Sequence, residues 1–189
     1  MKIHFFPFAE QPVNKWSGGI TRQLAIYPFN ASLEERDFIF RISTATVETE
    51  TSLFSKFPGF QRILMILEGE LKIDHKGHHT KKLKPFETDA FDGSWETTAE
   101  GMVVDFNVIY SGKIKTAEVK KFELSKNKKQ ILGSANFSGF YILSGLLTIN
   151  GRELNEKDFV LVEQEKVNEK IELAATSDCQ YILVLIDTP

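Results

Sequence analysis

Short apolar runs separated by turn residues fill most of the 189-residue chain. The clearest runs span 37–47, 62–67, 102–110, 140–149 and 180–186. Several of them alternate apolar and polar residues, which is typical of half-buried β-strands. Asn150-Gly151 lies between two such runs and favours a two-residue β-hairpin. We therefore predict a chain built mainly of β-strands.

One segment, 163–175, fits two patterns. Val167, Ile171 and Ala174 follow helical spacing, whereas Ile171-Glu172-Leu173 alternates as a strand does. We favour a strand, with a helix as the alternative.

An internal repeat divides the sequence. Residues 65–73 and 141–149 both consist of an apolar strand, a central glycine and a second strand, with Gly69 and Gly145 at the same place in each copy. A strand, a glycine that permits a sharp bend, and two further strands form the core of a jelly-roll barrel. The repeat therefore predicts two copies of one β unit.

Composition and charge exclude several classes of function. The formal net charge is −3, from 23 Lys and Arg against 26 Asp and Glu, which argues against a nucleic-acid partner. The single cysteine, Cys179, excludes an intrachain disulfide. The longest apolar run, 181–186, is far shorter than the roughly 20 residues of a membrane span. Pro7 and Glu10 interrupt the N-terminus before an apolar signal-peptide core can form. We expect a cytoplasmic protein with no membrane partner.

Several sequence blocks resemble a known family. The unit Ile-Leu-x-Gly-x-Leu-x-Ile at 66–73 resembles the cupin superfamily, and its duplication resembles a bicupin. Six blocks, in order along the chain, resemble the HutD/Ves family: KWSGGITRQL at 15–24, FRISTATV at 40–47, FSKFPGFQR at 54–62, LEG at 67–69, FDG at 91–93 and DFN at 105–107.

The resemblance implies an all-β bicupin, with two jelly-roll cupin β-barrels in one chain. We place the N-terminal barrel, with the ligand pocket, at residues 1–112 and the C-terminal barrel at 113–189, with some strand exchange between them. HutD-like proteins are associated with histidine-utilisation genes, where sensing of an intermediate such as urocanate or formylglutamate has been proposed. Ves-like proteins are associated with stress and cold responses. The resemblance thus implies a regulatory or sensing role.

Metal-binding cupins place His-x-His and then a Glu ahead of the bend glycine, because two imidazoles and a carboxylate can hold one cation. In the first copy, Arg62 stands at the Glu position and residues 56–58 (KFP) stand in the His-x-His region. In the second copy, Ser138 stands at the Glu position and residues 131–137 contain no histidine. Cationic side chains repel a metal ion, so we expect no metal in the barrel.

Three histidines, His75, His78 and His79, fall in a turn that the first copy has in excess. They fit exposed polar turn residues, which we favour, or a surface metal clip. No Ser-His-Asp or Cys-His arrangement has recognisable spacing, and no glycine-rich phosphate loop occurs. We therefore predict no catalytic residues and no cofactor.

Polar residues lie in the middle of two otherwise apolar strands. Asp105 and Asn107 share one face of one run, and Arg41 and Ser43 share one face of another. Arg62 begins the next strand. A solvated face is usually polar along its whole length, so a short polar group between apolar ends is typical of a lined pocket.

Two accounts explain these charges. In the structural one, Arg41 or Arg62 pairs with Asp105 and fixes the strand register. In the functional one, two arginines against one aspartate leave a positive charge that suits a carboxylate ligand, which guanidinium binds through two parallel hydrogen bonds. We favour the functional account.

The predicted ligand-binding residues combine charged groups, loop glycines, hydroxyls and aromatic walls. Gly18 and Gly19 would offer backbone N–H groups to the anion, or form a plain turn. The full set is Trp16, Gly18, Gly19, Thr21, Arg41, Ser43, Phe54, Arg62, Phe91, Asp92, Asp105 and Asn107.

We expect a protein that binds a small anionic ligand such as a carboxylate, without a metal, rather than an enzyme. The alternative is a metal-independent isomerase or epimerase acting on a small acid or sugar, with Asp92 or Asp105 as its base. A purely structural protein, whose second barrel mediates dimerisation and which has no open pocket, is a third reading. A homodimer is compatible with exposed edge strands.

Overall fold

The computed structural model describes residues 1–133, 135–164 and 169–189. Within these ranges the chain folds into β-strands and one 3-10 turn at Phe8–Glu10, which confirms the all-β prediction. The strands are β1 (Lys2–Phe6), β2 (Val13–Trp16), β3 (Gly19–Tyr27), β4 (Phe40–Val47), β5 (Thr51–Leu53), β6 (Phe60–Glu68), β7 (Leu71–His75), β8 (His79–Leu83), β9 (Thr88–Asp92), β10 (Thr97–Glu100), β11 (Val103–Ser111), β12 (Thr116–Leu124), β13 (Lys129–Leu132), β14 (Phe137–Ser144), β15 (Leu147–Ile149), β16 (Arg152–Leu154), β17 (Phe159–Glu163), β18 (Ile171–Ala175) and β19 (Cys179–Asp187). None of these described residues forms a helix that could span a lipid bilayer.

The chain divides into two compact units. One consists of residues 12–113, and the other of residues 1–11 together with 114–189. The N-terminal strand β1 belongs to the second unit because it pairs with β17.

The unit of residues 12–113 contains two antiparallel sheets. The larger has the strand order β2-β3-β4-β11-β6-β9, and the smaller has the order β5-β10-β7-β8. Alternation along the strands directs apolar side chains into a shared core, which includes Leu64 and Ile66 from β6, Ile73 from β7 and Leu83 from β8. Burial of this core stabilises the scaffold that carries the polar residues of β4, β6 and β11.

The second unit repeats much of this strand order. Its sheets run β1-β17-β14-β19-β12 and β13-β18-β15-β16. The series β12, β19, β14, β17 corresponds to β4, β11, β6, β9, and the smaller sheets correspond strand for strand. The internal repeat seen in the sequence is therefore a repeat of topology. Across the described ranges the sheets are open, so the two closed barrels are not confirmed.

Gly69 and Gly145 occupy the same bend in the two copies. Their φ angles are +82° and +81°, a region that L side chains rarely adopt. A Cβ at Gly69 would lie 2.6 Å from the Met102 carbonyl oxygen, and one at Gly145 would lie 2.1 Å from the Asp178 carbonyl oxygen. Only glycine fits at either bend.

The ambiguous segment 163–175 contains a strand. Residues Ile171–Ala175 form β18, which pairs with β13 and β15. This supports the strand reading, since pairing on both sides satisfies the backbone of these residues. Residues 165–168, including Val167, lie outside the described part of the chain.

Candidate functional site

Strand register places the two arginines in one row across the larger sheet of residues 12–113. Arg41 on β4 lies opposite Ile109 on β11, and Ile109 lies opposite Arg62 on β6. Directly opposite residues share a face of the sheet, so both guanidinium groups project from the same face. The alternation along each strand indicated that these residues share a face. The register of the three paired strands shows that they do.

The next two rows of the same face carry the remaining polar residues. Ser43 lies opposite Asn107, and Ala45 lies opposite Asp105. Because side chains alternate along each strand, Arg41 and Ser43 face the same way, as do Asp105 and Asn107. The face therefore presents guanidinium, hydroxyl, amide and carboxyl groups within a few residues of one another.

A cavity of about 300 Å³ lies over this face. Its volume is at the lower end of the range for small-molecule sites. Its floor and walls are formed by Asn14, Trp16, Thr21, Leu33, Arg41, Ser43, Ala45, Val47, Ser52, Leu53, Phe54, Ser55, Phe57, Arg62, Asp105, Asn107 and Ile109. An open cavity with charged walls argues against the purely structural reading with no pocket.

Both arginines are almost completely buried, each with 6% of its surface exposed. Arg41 donates from Nε to Gln23 Oε1 at 2.9 Å and from Nη1 to Ser43 Oγ at 3.1 Å. Arg62 donates from Nη1 to the Ser55 carbonyl oxygen at 3.4 Å, while its buried Nε has no hydrogen-bond partner in the part of the chain that the structure describes. Burial lowers the pKa of each arginine to about 10, so both remain charged at neutral pH.

Aromatic rings surround the Arg62 guanidinium. Its Cζ lies 4.8 Å from the ring centroid of Phe54, 5.2 Å from that of Phe91 and 5.9 Å from that of Phe57. Cation–π attraction to these rings partly offsets the cost of burying the charge. The rings also hold the guanidinium in one position. The Nε atom, which has no hydrogen-bond partner among the described residues, is therefore fixed in place.

Asp105 is buried beside the arginines without contacting them directly. In the described part of the chain, neither guanidinium has a carboxylate oxygen within 4.0 Å. The direct ion pair of the structural account is therefore not formed. Burial raises the pKa of Asp105 to about 7, although the charge of Arg62 and a hydrogen bond from the Ala45 backbone act in the opposite direction.

Two side-chain oxygens of cavity-lining residues are buried and have no hydrogen-bond partner among the described residues: Asp105 Oδ1 and Asn107 Oδ1. A buried polar atom without a partner carries a desolvation penalty of about 1–3 kcal/mol. Because both residues line the cavity, a ligand that brought an N–H or O–H donor to these oxygens would remove that penalty. The cavity thus offers guanidinium donors and oxygen acceptors together.

The structure brings eight of the twelve predicted site residues to the cavity wall: Trp16, Thr21, Arg41, Ser43, Phe54, Arg62, Asp105 and Asn107. The other four, Gly18, Gly19, Phe91 and Asp92, do not line it. Phe91 is 4% exposed and lies behind the wall, where its ring supports Arg62 and belongs to the core. The structure therefore places Phe91 behind the cavity wall rather than in it.

Asp92 lies outside the cavity, at the end of β9. Its carboxylate accepts hydrogen bonds from Gln61 Nε2 at 3.0 Å and from the backbone N–H and hydroxyl of Ser94 at 2.8 and 2.6 Å. The hydrogen bonds from Ser94 lower the pKa of this carboxyl. Asp92 therefore stabilises a turn and is placed neither as a ligand-binding residue nor as a base.

The two loop glycines are required for packing. A Cβ at Gly18 would lie 2.0 Å from the Trp16 ring, and one at Gly19 would lie 1.9 Å from the Thr46 carbonyl oxygen. Gly18 thus gives room to a ring of the cavity wall, and Gly19 lets β3 approach β4. The prediction that their N–H groups meet the anion has no support from this geometry.

Several lining residues were not predicted. Ser55 and Phe57 lie in the loop between β5 and β6, and Asn14 lies on β2. The loop has no regular alternation that would indicate which side chains face inward. The composition of this segment did contain a signal. Phe54 and Phe57 are close in sequence to Arg62, and phenylalanine rings beside a buried arginine are suited to cation–π packing.

The histidines are arranged differently from the exposed turn that we expected. His75 is the last residue of β7 and is 1% exposed, so it is a buried side chain. His79 begins β8, and only residues 76–78 form the turn between them. The sequence prediction failed for His75 because the strand continues further than the turn residues suggested.

Comparison with known proteins places the chain among others of the same architecture. Residues 9–182 match the HutD family. A conserved protein of unknown function, PA5104 from Pseudomonas aeruginosa PAO1, has a TM-score of 0.83 and 22% sequence identity, with 100% of each chain covered. HutD from Pseudomonas fluorescens SBW25, determined in a formate condition, has a TM-score of 0.75 and 20% identity over 98% of this chain and 99% of that one. The bacterial pirin YhhW from Escherichia coli, in complex with nickel(II), has a TM-score of 0.76 and 13% identity over 100% of both chains.

Proposed function

Since the chain belongs to the HutD family, we propose that it binds a small carboxylate, without a metal, in the cavity of residues 12–113. The ligand would occupy the space above Arg41, Arg62, Asp105 and Asn107. A binding protein of this kind would serve a regulatory or sensing role linked to histidine utilisation or stress.

One observation carries the proposal: two buried guanidinium groups line one cavity, with no carboxylate oxygen within 4.0 Å of either in the described ranges. Burying an unpaired charge is costly, and a carboxylate that forms paired hydrogen bonds with guanidinium offsets that cost. Two positive charges also disfavour a metal cation at the same place. The net charge of the cavity therefore selects an anion.

The unpartnered oxygens constrain the rest of the ligand. With the carboxylate held by Arg41 and Arg62, Asp105 and Asn107 would accept N–H or O–H groups from its other end. Thr21 lines the same cavity and adds a hydroxyl. The preferred ligand is thus a small acid that also carries a hydrogen-bond donor, as urocanate and formylglutamate do.

We also propose that the two units are two copies of the cupin fold, which makes the chain a bicupin. The support is the shared strand order of the two units and the glycine bend at the same place in each. The carboxylate site is proposed for the unit of residues 12–113 alone, because Ser138 stands in the second unit where Arg62 stands in the first.

A thermal-shift titration tests the binding proposal. The panel is urocanate, formylglutamate, formate, simple sugars and divalent metals, with a chelator control. A ligand at 100 times its dissociation constant adds about 2.7 kcal/mol of stability, which gives a measurable shift. We expect carboxylates to raise the unfolding midpoint, and Arg41→Ala to abolish this shift while the protein remains folded by circular dichroism.

Arg152→Ala is the matched control. It removes an exposed arginine from the other unit and should leave the carboxylate shift unchanged. Retained carboxylate binding in Arg41→Ala, or equal loss in both variants, would contradict the assigned site. Absence of a shift with every carboxylate would contradict an anion-binding cavity, whether or not a metal gives a shift.

The raised pKa of Asp105 favours a second candidate function, a metal-independent isomerase or epimerase. A general base works best with a pKa near the operating pH, and Asp105, at about 7, meets that condition inside the cavity. NMR of a bound acid over hours separates the two functions, because an isomerase converts its ligand or exchanges a ligand proton with solvent deuterium. Asp105→Asn should abolish such turnover while leaving the ligand bound.

A further inference from the structure

A second cluster of polar side chains lies at one end of the smaller sheet of residues 12–113. His75 and His79 are directly opposite each other in the β7–β8 hairpin, and Asp89 is on β9, the edge strand of the larger sheet. Asp89 Oδ2 lies 2.9 Å from His75 Nε2 and 3.1 Å from His79 Nε2. One ligand atom from each of the three residues lies within 4.8 Å of the others.

These distances are close to those of a metal site. Zinc binds imidazole nitrogen and carboxylate oxygen at about 2.0–2.2 Å, so neighbouring ligand atoms of a tetrahedral site are about 3.3 Å apart. The two nitrogen–oxygen distances at Asp89 are only a few tenths of an ångström shorter. One cation could therefore replace the protons of the two hydrogen bonds between Asp89 and the histidine nitrogens with little movement of the side chains.

Surrounding contacts orient His75 as a metal ligand requires. Its second ring nitrogen, Nδ1, lies 2.8 Å from Thr97 Oγ1, and this hydroxyl can in turn donate to the Trp95 carbonyl oxygen at 3.5 Å. A metal-bound histidine commonly donates its other N–H to such a partner, which fixes the ring and its tautomer. Since Thr97 and His75 are both 1% exposed, this arrangement is held rigidly by the core.

One cation already lies beside the carboxylate of Asp89. Lys81 Nζ, 3.6 Å from Asp89 Oδ1, is the nearby cation with which a metal would compete.

We propose that His75, His79 and Asp89 form a binding site for a divalent transition-metal ion of the Zn²⁺ type. Two imidazoles and one carboxylate are a ligand set that zinc uses, and the fourth position would take water, because the His79 side chain is 40% exposed. The site is separate from the carboxylate cavity. Phe91 lies between them, with its ring centroid 4.3 Å from that of His75 and 5.2 Å from Arg62 Cζ.

The neighbouring His78 and Trp95 supply a control and a reporter. The His78 ring stacks on Trp95 at a centroid distance of 3.7 Å, and His78 is not among the three grouped residues. The Trp95 ring lies 5.5 Å from His75 and 5.9 Å from His79. The chain has two tryptophans, and the other one, Trp16, lines the cavity. The substitution Trp16→Phe therefore leaves Trp95 as the single tryptophan fluorophore.

The experiment uses the full chain after chelator treatment. Native mass spectrometry counts bound Zn²⁺, calorimetry measures its affinity, and quenching of Trp95 by Ni²⁺ or Co²⁺ in the Trp16→Phe background reports the location. We expect one Zn²⁺ per chain, and a loss of affinity of more than about 10-fold in His79→Gln and in Asp89→Asn, since even the loss of a residue that only hydrogen-bonds to a metal ligand costs about 10–100-fold. His79 is partly exposed, so His79→Gln tests the ligand without disturbing the core.

His78→Gln should bind Zn²⁺ as the unaltered chain does. The proposal is overturned if the unaltered chain binds no Zn²⁺, if His79→Gln binds it with unchanged affinity, or if His78→Gln loses as much affinity as His79→Gln. Because none of these variants touches Arg41 or Arg62, the result is independent of carboxylate binding in the cavity.

Discussion

The buried carboxyl of Asp105 should make the stability of the protein depend on pH, and Asp105→Asn should remove that dependence. Asparagine has nearly the same shape, keeps an oxygen for the hydrogen bond from the Ala45 backbone, and cannot ionise. The substitution therefore imitates the protonated state of Asp105 at every pH.

The magnitude follows from the two pKa values. The carboxyl titrates at an ordinary value of 3.8 in the unfolded chain and at about 7 in the folded protein. Between about pH 4 and about pH 7 the folded state thus holds one proton that the unfolded state has lost, and the free energy of unfolding falls by about 1.4 kcal/mol per pH unit. Over the whole interval this is roughly 4 kcal/mol, present below the unfolded pKa and lost as the pH rises through the folded pKa.

Urea denaturation between pH 4 and pH 9 measures this effect. The quantity of interest is the difference in unfolding free energy between Asp105→Asn and the unaltered chain. That difference should grow in favour of the variant up to about pH 7 and be constant above it. Other titrating groups contribute equally to both proteins and cancel.

Asp92→Asn is a matched control. Hydrogen bonds from Ser94 lower the pKa of Asp92, so its contribution is lost only as the solution becomes acidic and should not change between pH 5 and pH 9. If Asp105→Asn and the unaltered chain have the same pH dependence, Asp105 titrates normally, and our account of a desolvated carboxyl beside Arg62 is refuted.

Three further predictions concern the ligand, a bend glycine and the cysteine. Carboxylate affinity, measured by calorimetry, should fall as the pH rises through about 7, because ionised Asp105 repels the anion; unchanged affinity at pH 6 and pH 8 would place the ligand elsewhere. Gly145→Ala should destabilise the protein by more than about 2 kcal/mol, because its φ is +81° and the new Cβ would collide with a backbone oxygen, whereas alanine at Gly151, where nothing lies within 4 Å, should cost less. Burial raises the pKa of Cys179 to about 11, so a disulfide reagent at pH 8 should label this thiol only after unfolding, and rapid labelling of the native protein would contradict its burial.

Local sequence patterns were enough to identify the strands and much of the site. The period-two alternation around Asp105 and Asn107 indicated their common face, because backbone geometry makes side chains alternate in any strand. Arg41 and Ser43 were grouped for the same reason. The glycines at 69 and 145 indicated the repeat, because a bend with positive φ excludes other residues.

Sequence patterns were not enough where the position of a residue depends on distant parts of the chain. Asp92 and Phe91 follow the strand pattern, but the end of β9 turns Asp92 towards Ser94, and Phe91 lies behind Arg62. The sequence marked Gly18 and Gly19 as special, and the close approach of Trp16 and Thr46 accounts for glycine at both positions. Nothing in the sequence around Asp89 pointed to a role for it. Only the fold brings its carboxylate beside His75 and His79.

The sequence by itself determined the all-β class, the duplication and the membership of Arg41, Arg62, Asp105 and Asn107 in one polar group. These properties follow from the alternation of side chains and from the conformations open to glycine, both of which act over a few residues. Tertiary structure decided that Arg41 and Arg62 share a row across β4, β11 and β6 without pairing with Asp105. It also decided that Asp105 has a pKa of about 7 and that the histidines meet Asp89. Strand register and desolvation arise from contacts between segments far apart in the chain, and for that reason only the folded molecule contains them.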